Sequence, residues 1–390
     1  MNAGKVLIRV IILFVILFVI SYLGLPYLFS SKYVSIKTSE TENLKPVKPP
    51  VVHLNIPEPL KGIYMTACVA GTPSWRSQLL KVAQDTEINS IVIDVKDYSG
   101  TISISTSDPL LGNHAGTGCR VRDMEEFIRE LHNSGIYVIG RITVFQDPYY
   151  SKLHPEFSVR RKSDGGVWKD FKGLSFIDVG SKPYWDYIVA LSKDSFEIGF
   201  DELNFDYVRY PSDGNMKDIR FSITGTTTKA KMLRDFFEYL TENLKKLKDN
   251  KGKRPILSVD LFGMTTTNTD DLNIGQVIEN TFPYFDYISP MVYPSHYPPQ
   301  FNGWPNPNDR VYDVIYYSMN KAQERLKNYN ANTASTTAQM RPWLQDFDYG
   351  GNYGVAEVQA QIKATYDVGI TSWMLWDPSN KYTVSALLPE

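Results

Sequence analysis

Residues 200–211 read FDELNFDYVRYP, and apolar Leu203, Phe205 and Tyr207 alternate there with polar Glu202, Asn204 and Asp206. A period of two is the pattern of a β-strand with two unlike faces. The unusual face is the polar one: three polar side chains point the same way, and Asp206 stands near the strand's end. A strand wetted on one side carries the same pattern. The surrounding sequence argues for a different environment, because other strand-like segments also finish in acids or other polar residues.

Working outward, one unit recurs: an apolar strand, a polar loop, an amphipathic helix. The sequence predicts strands at 62–67, 90–97 (SIVIDVKD), 136–145 (IYVIGRITVF), 200–211, 255–261, 286–293, 341–346 and 369–377. Helices are predicted at 74–86, 122–134, 183–198, 229–248, 274–281, 311–328 and 355–368. Pro183 suits the first turn of its helix, and Met232, Phe236, Leu240 and Leu244 form an apolar stripe on the next. Alternation of this kind gives a parallel sheet. Eight units over residues 60–390, the last without a clear closing helix, predict an α/β fold, a (β/α)8 TIM barrel with long loops after the second and third strands. A doubly wound open sheet is the rival, but no G-x-G-x-x-G follows an early strand.

Before the barrel, residues 10–29 carry no charge. A helix of ~20 residues matches the ~30 Å hydrocarbon core of a bilayer. Lys5 and Arg9 precede it, which predicts a cytoplasmic N-terminus at 1–9, a transmembrane signal-anchor at 10–29 and export of the remainder. A cleaved signal peptide is the alternative and exports the same residues. Residues 30–59, with five prolines, read as a semi-extended tether. The expected location is thus the cell membrane, single-pass, with the barrel outside. The formal net charge of −2 and pI near 6.3 exclude a large basic footprint, so nucleic acid is not an expected partner.

In such barrels chemistry sits at the C-terminal ends of the strands. The second strand ends in Asp94, Lys96 and Asp97; with Ile91, Ile93 and Val95 outward, Asp94 and Lys96 should point inward. The third offers Arg141. The fourth offers Asp206, with Glu202 and Asn204 deeper. On the fifth, outward Leu257, Val259 and Leu261 turn Asp260 inward. The sixth ends with Tyr293 and His296, the seventh with Trp343 and Gln345, the eighth with Trp376 and Asp377. One acid at a strand end is usually a cap. Acids on the second, fourth and fifth strands together call for pairing or function, and Lys96 and Arg141 are the candidate partners.

Two carboxylates flanking a pocket meet the requirement of glycosidic hydrolysis, in which one protonates the leaving oxygen and the other attacks or activates water. Asp206 is the expected nucleophile or primary carboxylate and Asp260 the acid/base, with Asp94 and Asp97 in reserve. Lys96, Arg141 and Tyr293 would orient or tune them; Trp343 and Trp376 would stack on sugar. The five histidines form neither H-x-x-x-H nor H-E-x-x-H, and no G-x-S-x-G occurs. No metal or other cofactor is expected. Cys68 and Cys119, the only cysteines, fall on one barrel face; a disulfide and two free thiols are both open.

GIYMTA, IVIDVKDYSG, GRITVFQDP, DELNFDYVRYP, SPMVYPSHY, RPWLQDF and WMLWDPSNKY, in that order, resemble the glycosyl hydrolase family catalogued as domain of unknown function 4015, from about residue 62 to 382. The resemblance implies a TIM barrel and a glycosidase activity; with the expected export, the chain reads as a membrane-tethered barrel that hydrolyses a polysaccharide. A more distant similarity is to family 18 chitinases, whose fourth strand carries D-G-x-D-x-D-x-E. The matching positions are Asp201, Glu202, Asn204, Asp206 and Val208, so that family's terminal acid is absent and Asp206 is the remaining carboxylate. A non-catalytic carbohydrate-binding barrel of the envelope is the alternative, and a structural envelope protein with salt-bridged core acids is a third reading.

Overall fold

The computed structural model describes residues 3–28, 50–112, 118–333 and 335–389. The chain divides into two compact units, Met1–Pro50 and Val51–Glu390. In the first, Ala3–Leu28 is helical, and its side chains from Ile11 to Leu23 are exposed. That stretch is roughly 20 Å long at 1.5 Å per residue. Among the described residues no helix is long and apolar enough to cross a membrane. Residue 29 and most of the expected tether, 30–49, lie outside the described residues.

In the second unit eight parallel strands close on themselves: β1 (Lys61–Met65), β2 (Ser90–Lys96), β3 (Tyr137–Thr143), β4 (Glu202–Asp206), β5 (Ile256–Phe262), β6 (Tyr287–Met291), β7 (Trp343–Gln345) and β8 (Trp373–Trp376). Each pairs with the next, and β8 returns to β1. The seam is β6 against β7, where Met291 meets Trp343; toward its start β6 instead pairs with Gln339–Met340. The flanking helices are α1 (Pro73–Asp85), α2 (Met124–Asn133), α3 (Lys182–Glu197), α4 (Lys229–Leu244), α5 (Val311–Asn332) and α6 (Val355–Asp367). This is the (β/α)8 barrel expected from the alternation.

One expected helix is lacking. The 274–281 segment contributes only a 3-10 turn, Ile278–Asn280. Leu272, Asn273 and Gly275 all take positive φ, which breaks the run before a helix can nucleate. The boundary with the tether also moves. Val51–Pro59 belongs to the compact unit: the Leu54 N–H donates to Asp201 (2.6 Å), and Lys253 donates to the Leu54 carbonyl.

The alternation sorts the side chains into two cores. Leu203, Phe205, Leu257 and Val259 face outward and pack under the helices with Ile188, Phe236 and Phe237. Inside the barrel, Leu60, Tyr64, Val92, Tyr137, Ile139 and Met374 form a separate apolar floor. Glu202 pairs with Arg341 above it, both fully buried. Glu202 also accepts from Ser258, and Arg341 lies 4.4 Å from the Tyr287 ring centre. Burying this pair is costly, and removing one partner is worse because the other charge stays behind. Glu202→Gln should therefore lose about 3–5 kcal/mol of stability in urea unfolding.

Cys68 and Cys119 are joined, their Cα atoms 4.9 Å apart and 51 residues apart in sequence. The bond ties the turn after β1 to the long loop after β2. By loop-closure entropy, reduction should cost about 4 kcal/mol. Mass analysis without reductant should find no free thiol.

Candidate active site

A cavity of about 330 Å³ opens at the C-terminal ends of the strands, with Asp206, Asp260 and Arg141 in its wall. The register explains their convergence. Asp94 on β2 lies level with Arg141 on β3, and Thr143 on β3 lies level with Asp206 at the end of β4. Side chains two apart on one strand share a face, so Glu202, Asn204 and Asp206 form an inward column.

Arg141 holds that column's upper end. Its Nη1 donates to Asp94 Oδ1 (2.6 Å), its Nε to Asp206 Oδ2 (3.1 Å), and its Nη2 to the same Asp206 oxygen. Tyr64 donates its hydroxyl to Asp94 Oδ2. Burial alone would pull the Arg141 pKa down, but Asp206 and Asp94 outweigh it and hold it well above the ordinary value. Burial raises Asp94, with Arg141 opposing. The remaining Asp206 oxygen accepts the Tyr207 N–H at 2.6 Å.

Asp260 forms no salt bridge among the described residues, though Arg141 is near enough to oppose its rise in pKa. Its Oδ1 accepts from Asn204 Nδ2 (2.8 Å) and Trp343 Nε1 (2.9 Å). Burial, reinforced by the charge of Asp206, lifts its pKa to about 8. With two donors on Oδ1, the proton belongs on Oδ2. The two acids therefore differ: Asp206 is fixed against a guanidinium, while burial and the charge of Asp206 favour the protonated form of Asp260. Two carboxyls set apart in this way can serve as an acid and a base.

Of the other expected residues, Tyr293, His296 and Trp376 also line the cavity. Trp376 lies under Arg141, stacked on Tyr64 with ring centres 3.9 Å apart. Trp343 contributes to the wall but is 1% exposed. Its indole N–H is spent on Asp260, so it holds the acid and offers no open platform for a sugar. His296 sits at the exposed rim beside Tyr293 and Tyr349.

Seven expected residues lie elsewhere. Lys96 does not point into the cavity: an irregularity between Asp94 and Lys96 shifts the β2–β3 register. Such a bulge re-aims the residues after it. Its Nζ lies 2.9 Å from Asp147 and donates to the Thr143 carbonyl and the Tyr184 hydroxyl. Asp97 accepts from Ser99 in a turn. Glu202 is committed to Arg341, below the cavity. Asp94 and Asn204 stand behind the wall and act through Arg141 and Asp260. Gln345 accepts from Ser295 and donates to the Phe347 carbonyl. Asp377 accepts the Ser379 N–H in the turn after β8.

Sequence reading missed Tyr207 and Arg209. Alternation put Tyr207 outward with Leu203 and Phe205. The strand ends at Asp206, and Tyr207 takes φ +53°, which is costly for a bulky side chain. That turn brings Tyr207 and Arg209 to the cavity. Arg341, which neutralises Glu202, stands just before β7 and had no periodicity to mark it. Gly263 has a use here: a Cβ on it would stand 2.5 Å from the Met291 carbonyl oxygen and 2.6 Å from the Tyr297 hydroxyl.

Residues 62–382 match the family model described as "Putative glycosyl hydrolase domain", domain of unknown function 4015. Among solved structures, the glycoside hydrolase domain of PgaB (BpsB) from Bordetella bronchiseptica is similar with a TM-score of 0.59 and 12% identity, over 84% of this chain and 97% of that one. Alpha-L-fucosidase isoenzyme 2 from Paenibacillus thiaminolyticus gives 0.54 and 11%, over 84% and 47%. A hypothetical protein from Ruminiclostridium thermocellum is 28% identical over 54% of this chain and 98% of that one, with a TM-score of 0.45. At 11–12% identity the first two likenesses speak to the barrel fold alone. Comparison with curated proteins finds no match.

Proposed function

The chain belongs to the glycosyl hydrolase family matched over residues 62–382, and from that premise we propose that it hydrolyses glycosidic bonds of a polysaccharide with Asp206 and Asp260. The observation that carries this reading is the unlike pairing of two carboxyls on one cavity: Asp206 is bound by Arg141, and Asp260 accepts only from Asn204 and Trp343 among the described residues. Asp260, raised to about 8, is the carboxyl disposed to hold a proton and give it to a leaving glycosidic oxygen. Asp206 is held by Arg141 through one oxygen and by its neighbour's N–H through the other. It is the nucleophile, or the base that activates water. Arg141 orients it, and Asp94, with Tyr64, orients Arg141. Trp376 and Tyr293 give the sugar apolar surface.

A second part of the proposal rests on the sequence alone: the uncharged run at residues 10–29 is read as a single-pass anchor with the barrel outside the membrane. Lys5 and Arg9 ahead of the uncharged run are its basis. In fractionated cells the full chain should sediment with membranes, and protease added outside intact spheroplasts should digest the barrel. A barrel protected until lysis would contradict this topology.

Hydrolysis is tested by incubating the full chain with cell-wall and capsule polysaccharides and assaying new reducing ends. Release by the wild type supports the glycosidase. Retention on immobilised glycan with no release, unchanged in Asp206→Asn, would favour the non-catalytic binding barrel instead.

A further inference from the structure

Among the described residues four lysine and arginine side chains of the barrel unit are buried, and three of them have a carboxylate. Arg141 has Asp94 and Asp206, Arg341 has Glu202, and Lys96 has Asp147. The fourth is Arg209. It is 8% exposed, it lines the cavity, and among the described residues it forms no salt bridge. Among the described residues only its Nη1 has hydrogen-bond acceptors, the Tyr210 carbonyl (3.1 Å) and Ser212 Oγ (3.2 Å). Its carbon is held at 5.0 Å from the Tyr207 ring centre and 4.9 Å from that of Phe262. Both of those residues line the same cavity.

A buried charge is normally paired. The nearby acids do not supply the pair. Asp170 accepts from Lys172 and Leu174 in its own turn, Asp213 is exposed, and Asp206 is engaged by Arg141. Burial accordingly lowers the Arg209 pKa, against weaker raising from Tyr207 and Asp206, whereas Arg141 and Arg341 go up. The remaining donors, Nε and Nη2, have no protein acceptor among the described residues. Guanidinium nitrogens in that position suit the paired oxygens of a carboxylate or sulfate. The strained Tyr207, one residue after Asp206, sets Arg209 next to the reacting acids.

We propose that Arg209 is a specificity-determining residue that receives an anionic group of the substrate, a carboxylate or a sulfate ester on a sugar seated beside Asp206 and Asp260. This rests on the glycosidase reading and narrows it: the polymer is acidic, with uronate or sulfated residues.

The test uses the full chain carrying Asp206→Asn, which removes turnover. It is titrated with oligosaccharides of polygalacturonate, alginate and chondroitin sulfate, each beside its carboxyl-reduced or desulfated counterpart. At least one acidic oligosaccharide should bind tenfold or more tightly than its neutral counterpart. Adding Arg209→Gln should erase that preference, while Arg209→Lys, which keeps the charge, should keep part of it. The reduced and desulfated arms separate carboxylate from sulfate. No acidic oligosaccharide outbinding its counterpart, or a preference that survives Arg209→Gln, overturns the proposal. Hydrolysis by the Asp206 form on the same panel is scored apart. Cleavage of neutral glycans only would overturn this inference and leave the glycosidase standing; acid-selective binding without cleavage would do the reverse.

Discussion

Asp206→Asn should reduce turnover on the order of 10⁴-fold, the scale seen when a hydrolase loses one member of its catalytic group, while the barrel stays folded. Asp206 ends the inward column of β4, with Arg141 on one oxygen and the Tyr207 N–H on the other. An asparagine keeps the shape but must turn an NH2 toward one of those two donors. That mismatch should cost about 1–3 kcal/mol of stability. Arg141 keeps Asp94 as a partner, so the cavity wall is not left with an unpaired guanidinium. Substrate binding should survive with little change in KM. The combination to measure is kcat, KM and the unfolding midpoint on one preparation.

The second large effect belongs to Asp260. Asp260→Asn can still accept from Asn204 and Trp343 through its carbonyl oxygen, and it presents an NH2 where the acid presents its proton. It imitates the protonated acid in every respect except the ability to release H⁺. The loss should be about 10²–10⁴-fold, the usual worth of a general acid. In the wild type the rate should fall above about pH 8 as the acid ionises; the residual rate of the variant should lack that alkaline limb. Stability gives an independent readout. Asp260 is raised in the folded state, so unfolded chains release this proton near 4 while folded chains keep it to about 8. Its contribution is fully present below pH 4 and is lost as pH rises to about 8. Asp260→Asn should gain on the wild type over that window, by a few kcal/mol on the order of magnitude set by one pKa unit being ~1.4 kcal/mol. Urea unfolding of both proteins from pH 4 to 9 measures the gap.

The barrel and part of its site were legible because strands impose a period of two. That period separated Glu202, Asn204 and Asp206 from Leu203 and Phe205, and turned Asp260 inward. It failed where the backbone leaves the regular strand. The shift after Asp94 sends Lys96 to Asp147, and the positive φ at Tyr207 brings an apparently outward residue to the cavity. Arg209 was invisible for the same reason: beyond the strand end, no period says where a side chain goes. Acid type alone also could not rank the carboxyls. Asp97 and Asp377 look like Asp206 in sequence, yet both accept from turn N–H groups. Only the distribution of cations separates them, and Arg141 and Arg341 reach their partners across strands that are far apart in sequence.

The measurement that tests the account most directly is release of new reducing ends from a panel of cell-wall and capsule polysaccharides, with the full chain, Asp206→Asn and Asp260→Asn assayed side by side. The account predicts release by the wild type on at least one polymer, and release cut at least a hundredfold in both variants, with both folded. Wild-type release that persists undiminished in both variants would contradict the assignment of chemistry to this pair of carboxyls.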